Sequence, residues 1–301
     1  MKISLENTKC DLENIRVVYY MNERSNPIMK LTLKKYFEVD SENPLKISVI
    51  SNNFLNEELP YQDKIDYTSA DIEYREDATH FGDTIMKGLN KITEDYILLM
   101  LDDQIVDRPI KYNDLQKLIN FIKEEDVHYF GFSPIPQLGN PNFSWKPYDK
   151  DNYPFDKSTL FYRDNNFQYL LSLQPAIWKR NFLIDLCERC PFNLNPSTLD
   201  AWLPDILREY IIENNFKLMG HNLNSMANCI PQSSEYFILS YFEVLRRRCF
   251  WHPVNIPPDD INYRPTFSFV ENLIRDEKLL EKEEYKDMLF NINQSHILKK
   301  Q

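Results

Sequence analysis

Apolar positions in the first half of the chain fall into short unbroken runs, separated by stretches with helical spacing. Ile15 to Met21 (IRVVYYM) reads as a buried strand and Pro27 to Phe37 as a helix. Leu45 to Ile50 is a second strand, closed by the turn-prone Ser51-Asn52-Asn53. Phe81 to Ile92 places Ile85, Met86, Leu89 and Ile92 on one helical face. Tyr96 to Leu101 is a third strand, followed by a helix from Asn113 to Glu124 with Leu115, Leu118, Ile119 and Ile122 inward. Strands alternating with helices predict an α/β fold built on an open, mostly parallel central sheet with helices on both faces.

The second half is less regular. Ser133 to Lys157 is rich in Pro, Asn and aromatic residues and reads as a long ordered loop, the kind of segment that carries binding residues on a rigid scaffold. Phe167 to Leu173 has the look of a strand, and Trp178 to Cys187 and Leu203 to Asn214 of helices, with Pro204 in the first turn of the latter. A proline-dotted segment, His252 to Pro265, leads to a last amphipathic helix, Phe267 to Leu289, as a C-terminal helical extension. There is no internal repeat and no clear linker, so the expectation is one domain over residues 1–301.

Composition narrows the function. A length of 301 residues with 43% hydrophobic content is enough to bury a large core. A net charge of −11 disfavours a grip on nucleic-acid backbone, and the triplet Arg246-Arg247-Arg248 is too short to reverse that. The longest apolar run, Tyr96 to Leu101, has six residues, far short of a membrane span. Met1 to Asn14 is polar, with no signal-peptide core, so a cytoplasmic protein is expected. Cys187 and Cys190 form a CxxC near a helix end rather than a helix start, with no second pair, and read as structural. Only five glycines occur, and none forms a dinucleotide fingerprint or a P-loop. A diphosphate would have to be held by another device, namely a divalent metal on carboxylates.

The sharpest signal is Tyr96-Ile-Leu-Leu-Met-Leu-Asp102-Asp103. A continuously apolar strand is buried on both faces, as the centre of a parallel sheet is. Its carboxyl end is where open α/β sheets bind ligands, and two hard carboxylates there suit Mg²⁺ or Mn²⁺. Successive strand residues face opposite sides, so one aspartate meets the metal while the other faces sugar, ribose or a metal-bound water. The plainer reading is a strand that ends in solvated acids or a helix cap.

The segment Thr84 to Asp103, TIMKGLNKITEDYILLMLDD, resembles the region of GT-A fold glycosyltransferases that ends in their DxD-type metal motif. Leu171 to Leu186, LSLQPAIWKRNFLIDL, looks like the aromatic-centred strand and helix downstream of that motif in a poorly characterised group of such enzymes. With the strand at Ile15, the likeness covers most of residues 15–215; residues 216–301 form the unmatched extension. Asp102-Asp103 departs from a strict DxD, which leaves open which of the two binds metal; Asp103 is preferred.

The resemblance implies a hexosyltransferase-type enzyme taking a nucleotide-sugar donor and a glycan or other hydroxyl acceptor, with Mn²⁺ or Mg²⁺. It puts donor contacts at the end of the first strand and its loop, here Tyr19, Tyr20, Met21, Asn22, Glu23 and Arg24. An aromatic there can stack on the base and Asn22 or Arg24 can reach its edge or a phosphate, while Tyr19 or Tyr20 can equally be core. Asp83 and Lys87 fall where the family contacts donor, and are also what a solvated helix face would carry. An inverting transfer needs a base for the acceptor hydroxyl. Asp200, in Leu199-Asp200-Ala201-Trp202, matches that place, with Asp205 in reserve; Asp200 can also cap the following helix. Trp178 and Trp202 are candidates for the acceptor side or for packing. His252 and His221 are candidates for a further metal ligand. Against this stand a nucleotidyltransferase on a similar sheet, disfavoured by the glycine-free Asn22 to Asn26, and a non-catalytic sugar-binding module.

Overall fold

The computed structural model describes residues 12–21, 26–54, 58–72, 81–106, 108–132, 146–147, 159–163, 170–190, 194, 196, 199, 203–222, 241–243, 272–273, 275–283 and 285. In chain order its first elements are β1 (Ile15–Met21), α1 (Asn26–Val39), β2 (Lys46–Ser51), β3 (Ile65–Ser69), α2 (Phe81–Leu89) and β4 (Tyr96–Leu101). Then come β5 (Gln104–Val106), α3 (Tyr112–Glu124), β6 (Val127–Gly131), β7 (Lys146–Pro147), β8 (Thr159–Tyr162) and β9 (Ala176–Lys179). The last are α4 (Arg180–Arg189), α5 (Asp205–Glu213), β10 (Lys217–Asn222), β11 (Tyr241–Glu243) and a 3₁₀ turn at Leu279–Glu281.

Nine strands form one sheet in the order β3-β2-β1-β4-β9-β6-β10-β8-β7, while β5 and β11 pair separately. Strands β1 to β4 are mutually parallel, and β9 runs antiparallel between β4 and β6. Since β10 is parallel to β6, and β8 reverses against both β10 and β7, only β8 and β9 oppose the common direction. This is the open, mostly parallel α/β sheet expected from the sequence.

Strand alternation divides the core in two. Tyr96, Leu98 and Met100 of β4 join Ile15, Val17 and Tyr19 of β1 on the face covered by α1 and α3, through Met29, Leu33, Leu115 and Leu118. Ile97 and Leu99 join Val18 on the other face, covered by α2, α4 and α5 through Ile85, Leu89, Leu183, Leu186, Leu207 and Ile211. Helices therefore lie on both faces. Close approach of α2 to β2 requires Gly88, because a Cβ there would lie 2.5 Å from Cγ2 and Cδ1 of Ile50.

Two expectations are corrected. Of the strand expected at Phe167–Leu173, residues 167–169 lie outside the described residues and 170–173 are bends and irregular chain; a strand follows at β9, and Trp178 lies on it rather than on a helix. Helical spacing there belongs to α4 alone, while Trp178 sits between Ile97 of β4 and Tyr129 of β6. The expected long helix from Phe267 is interrupted, since Lys278 takes a left-handed φ of 51° before the 3₁₀ turn. Residues 133–145 and 148–157, most of the long segment read as a loop, lie outside the described residues, as does 252–265.

At the amino ends of β1 to β4 an ionic network around the buried Arg16–Glu94 pair ties the sheet together. Arg16 grips Glu94 with two bonds of 3.0 Å, from Nε and Nη2. Its Nη1 reaches Ser48 at 2.8 Å, and Lys46 approaches Glu94 at 2.9 Å. Burial pushes the Glu94 carboxyl up, but Arg16 and Lys46 outweigh it and hold the group down at about 2.

Candidate active site

Chain order along the sheet changes direction at β1: β2 and β3 follow on one side, β4 on the other. Crevices outside the carboxyl ends of strands at such a reversal are where open α/β sheets place ligands. Asp102 and Asp103 occupy that place as a two-residue turn between β4 and β5. They lie beyond the strand, so strand alternation does not set the directions of their side chains.

The turn is fixed from three sides. Asp102 N–H donates to the Tyr20 carbonyl at the end of β1, at 3.0 Å. The Thr32 hydroxyl of α1 donates to the Asp102 carbonyl at 2.6 Å. The Gln104 side chain accepts from Leu101 N–H at 2.9 Å and donates to the Leu173 carbonyl at 3.0 Å, locking the turn's exit to the segment before β9. Both aspartates are buried, at 0% and 1% exposure. Thr32 and Gln104 were not singled out in the sequence. The available signals were a polar residue inside the apolar Leu31-Thr32-Leu33 of a helix, and a glutamine immediately after the two acids.

Other predicted residues distribute unevenly around the turn. Tyr20 is half-buried at the end of β1, with its ring edge-on to Phe81, 4.7 Å away, at the start of α2. Asp83 and Lys87 are exposed on α2, and Lys87 Nζ donates to the Ala70 carbonyl just beyond β3. The first turn of α2 also meets Leu194, whose carbonyl accepts from Gly82 N–H. α4 starts at the amino end of β4, where Arg180 N–H bonds the Asp95 carbonyl. A helix of ten residues rises about 15 Å, so α4 climbs toward the site's end of the sheet. α5 descends from that end to β10, so Asp205, exposed in its first turn, lies on the site's side.

Two candidates belong to the core instead. Tyr19 and Trp178 are both 0% exposed. Tyr19 meets Tyr36 edge-on, and Trp178 meets Tyr129 edge-on and stacks on Phe182. Strand alternation aims each into a packed layer, leaving neither with surface for a ligand. Asn22, Glu23, Arg24, Asp200, Trp202 and His252 lie outside the described residues, and His221 is placed only by its position on β10, opposite Leu160. The CxxC pair behaves as expected of structural thiols. Burial raises both above the ordinary cysteine value, Cys187 the more strongly.

The donor set suits a hard divalent cation. Adjacent carboxylates inside a protein raise each other's electrostatic cost, and a cation between them offsets both. Among the described residues no third His, Cys, Asp or Glu completes a cluster with them. Mg²⁺ sites commonly use one or two carboxylates and fill the remaining positions with water and substrate phosphates, so the pair fits such an ion.

No family model and no curated protein matches the sequence. Among solved structures, TarS of S. aureus in complex with UDP-GlcNAc is similar at 12% identity and a TM-score of 0.42, over 91% of this chain and 88% of that one. A longer S. aureus TarS structure gives 11% and 0.44, over 91% of this chain and 43% of that one. The bifunctional IspDF from Campylobacter jejuni gives 12% and 0.36, over 76% of this chain and 55% of that one. This chain thus spans about half the length of these last two. At such scores the functional reading rests on this chain's own geometry. Among the described residues no helix is long and apolar enough to cross a membrane.

Proposed function

We propose that this chain is a metal-dependent GT-A-type glycosyltransferase, acting as a single cytoplasmic domain, that moves a sugar from a nucleotide-sugar donor to a hydroxyl of a glycan or other acceptor with inversion. One observation carries the reading: two adjacent carboxylates in a turn fixed by β1, α1 and the segment before β9, at the carboxyl end of the strand beside the switch point. Asp103 and Asp102 would hold Mn²⁺ or Mg²⁺, with His252 as a further ligand, and the ion would supply charge neutralisation for the departing diphosphate. Tyr20, Asn22 and Arg24, on and just after β1, contact the nucleotide. Asp83 and Lys87 present polar groups from α2 toward the donor. Asp200 takes the acceptor hydroxyl's proton, with Asp205 as the second candidate on the site's side of the sheet.

Calorimetry with Mn²⁺ plus UDP or UDP-GlcNAc tests this. Wild-type protein binds only with the ion, and Asp103→Asn loses that binding while keeping its circular-dichroism spectrum, because the neutral amide gives up the charge that holds the ion against water. Unchanged Mn²⁺-dependent affinity in the variant would refute the assignment. An Asp200→Asn variant keeps donor binding and loses on the order of 10²–10⁴-fold in turnover.

A further inference from the structure

Helix α1 touches the site on one side and the C-terminal extension on the other. On its buried side Thr32, 0% exposed, holds the Asp102 carbonyl at 2.6 Å. On its outer side Lys34 and Lys35 both reach Glu277, at 2.5 and 2.6 Å. Glu277 is only 7% exposed, although both lysines are more open to solvent. Glu38 bridges the same two lysines at 3.5 and 2.7 Å. Farther along, the Tyr285 hydroxyl donates to the Pro27 carbonyl in the first turn of α1, at 2.9 Å. Leu273, Leu279 and Tyr285 are buried, so the segment is packed down rather than draped. Burial works against the Glu277 charge, yet the lysines hold its carboxyl below the ordinary glutamate range.

Two separate contacts along one rigid helix make a strap, running from the middle of α1 back to its first turn. The left-handed Lys278 turns the chain directly after Glu277, which lets the strap meet α1 twice. A charged anchor of this kind orders the helix it grips, and the far side of that helix bonds the turn carrying both acids. We propose that Leu273, residues 275–283 and Tyr285 are a positioning element of the site: Glu277 fixes α1 through Lys34 and Lys35, and α1 fixes the Asp102–Asp103 turn through Thr32. Its consequence for ligand binding rests on the glycosyltransferase reading; the mechanical coupling does not.

Hydrogen exchange followed by mass spectrometry, on the full ligand-free chain, tests the coupling. Glu277→Gln keeps the shape and removes the charge. Hydrogen bonds to charged groups contribute enough that amides of 26–39 and 101–104 should exchange roughly tenfold faster, while β2 and β3 stay unchanged. Thr32→Val should speed 101–104 alone. In the double variant 101–104 should exchange no faster than in the more affected single, because the two act in series. Raising salt on the wild-type protein should reproduce part of the Glu277→Gln pattern without any substitution, since the lysine side of the latch is solvent-accessible. Acceleration confined to 272–285, or additive effects in the double variant, would overturn the proposal. Calorimetry with Mn²⁺ and UDP separates the two readings. Wild-type binding with no exchange coupling removes the strap and keeps the enzyme; coupling without binding does the reverse.

Discussion

Substituting Glu94 by Gln should destabilise the fold by about 3 kcal/mol at neutral pH, with a pH dependence that identifies the cause. The Glu94 side chain is 3% exposed and accepts both Nε and Nη2 of Arg16, which is itself 10% exposed. The Lys46 arm adds little, because that side chain is 64% exposed and screened by water. The carboxyl sits at about 2 in the folded protein against an ordinary 4.5. That difference corresponds to roughly 3 kcal/mol of stability at 1.36 kcal/mol per pH unit. A folded value below the unfolded one means the contribution is complete above about 4.5 and is lost as pH falls toward 2. At pH 3 about 1.5 kcal/mol should remain. Removing the charge also leaves Arg16 with Asp66, 69% exposed, as its remaining carboxylate partner, so the loss should be no smaller than this and within the about 3–5 kcal/mol seen when one partner of a buried pair is removed. Urea unfolding of both proteins at pH 7 and pH 3 measures the two differences. A penalty below about 1 kcal/mol at pH 7, or one equal at both pH values, would refute the reasoning.

Gly88→Ala should cost about 1–3 kcal/mol through the clash with Ile50 even though alanine favours helices, and Gly88→Ala/Ile50→Ala should cost less than the two singles added; urea midpoints decide. Trp178→Ala should cost about 3–5 kcal/mol by leaving a cavity between Tyr129 and Phe182, while any correctly folded fraction should keep the Mn²⁺-dependent UDP binding that the proposed function requires. Thiol labelling of the native protein at pH 8, mapped by mass spectrometry, should reach Cys190 well before Cys187, since Cys187 is buried and its thiol is pushed up.

The central strands were legible because their sequences carry one signal only. Tyr96–Leu101 is apolar on both faces and Ile15–Met21 is so apart from Arg16 near its start, a pattern that few structures other than a buried parallel strand can satisfy. β3, β6 and β10 carry no such signal because IDYTS, VHYFG and KLMGHN mix polar residues into five or six positions. Their strand character comes from neighbours, as in the pairing of β10 with both β6 and β8. β9 is hidden in the sequence for a related reason. Four residues, AIWK, run directly into α4, and only the flanking β4 and β6 decide where strand stops and helix starts. The two acids were found from the strand that leads to them, whereas the bonds that fix their turn come from residues 32 and 104 and from a carbonyl at 173, contacts that no local pattern encodes.

The two ends of this sheet carry opposite chemistry. At the amino ends, Arg16, Lys46, Glu94 and Asp66 neutralise one another within a closed network. At the carboxyl ends, the chain holds two adjacent acids at almost no solvent exposure and fixes their backbone through bonds from three directions. A motif of two acids after an apolar run is common, so the residues alone discriminate poorly. Their setting discriminates better, because β4 is the strand beside which the chain order reverses and Asp102 is bonded directly across that reversal to β1. Stability and site are thereby separated by the length of β4, about 20 Å for six residues. Changes in the Glu94 network should therefore alter unfolding without altering the proposed metal-dependent nucleotide affinity, while changes at α1 should couple to it, because Thr32 of α1 bonds the turn directly.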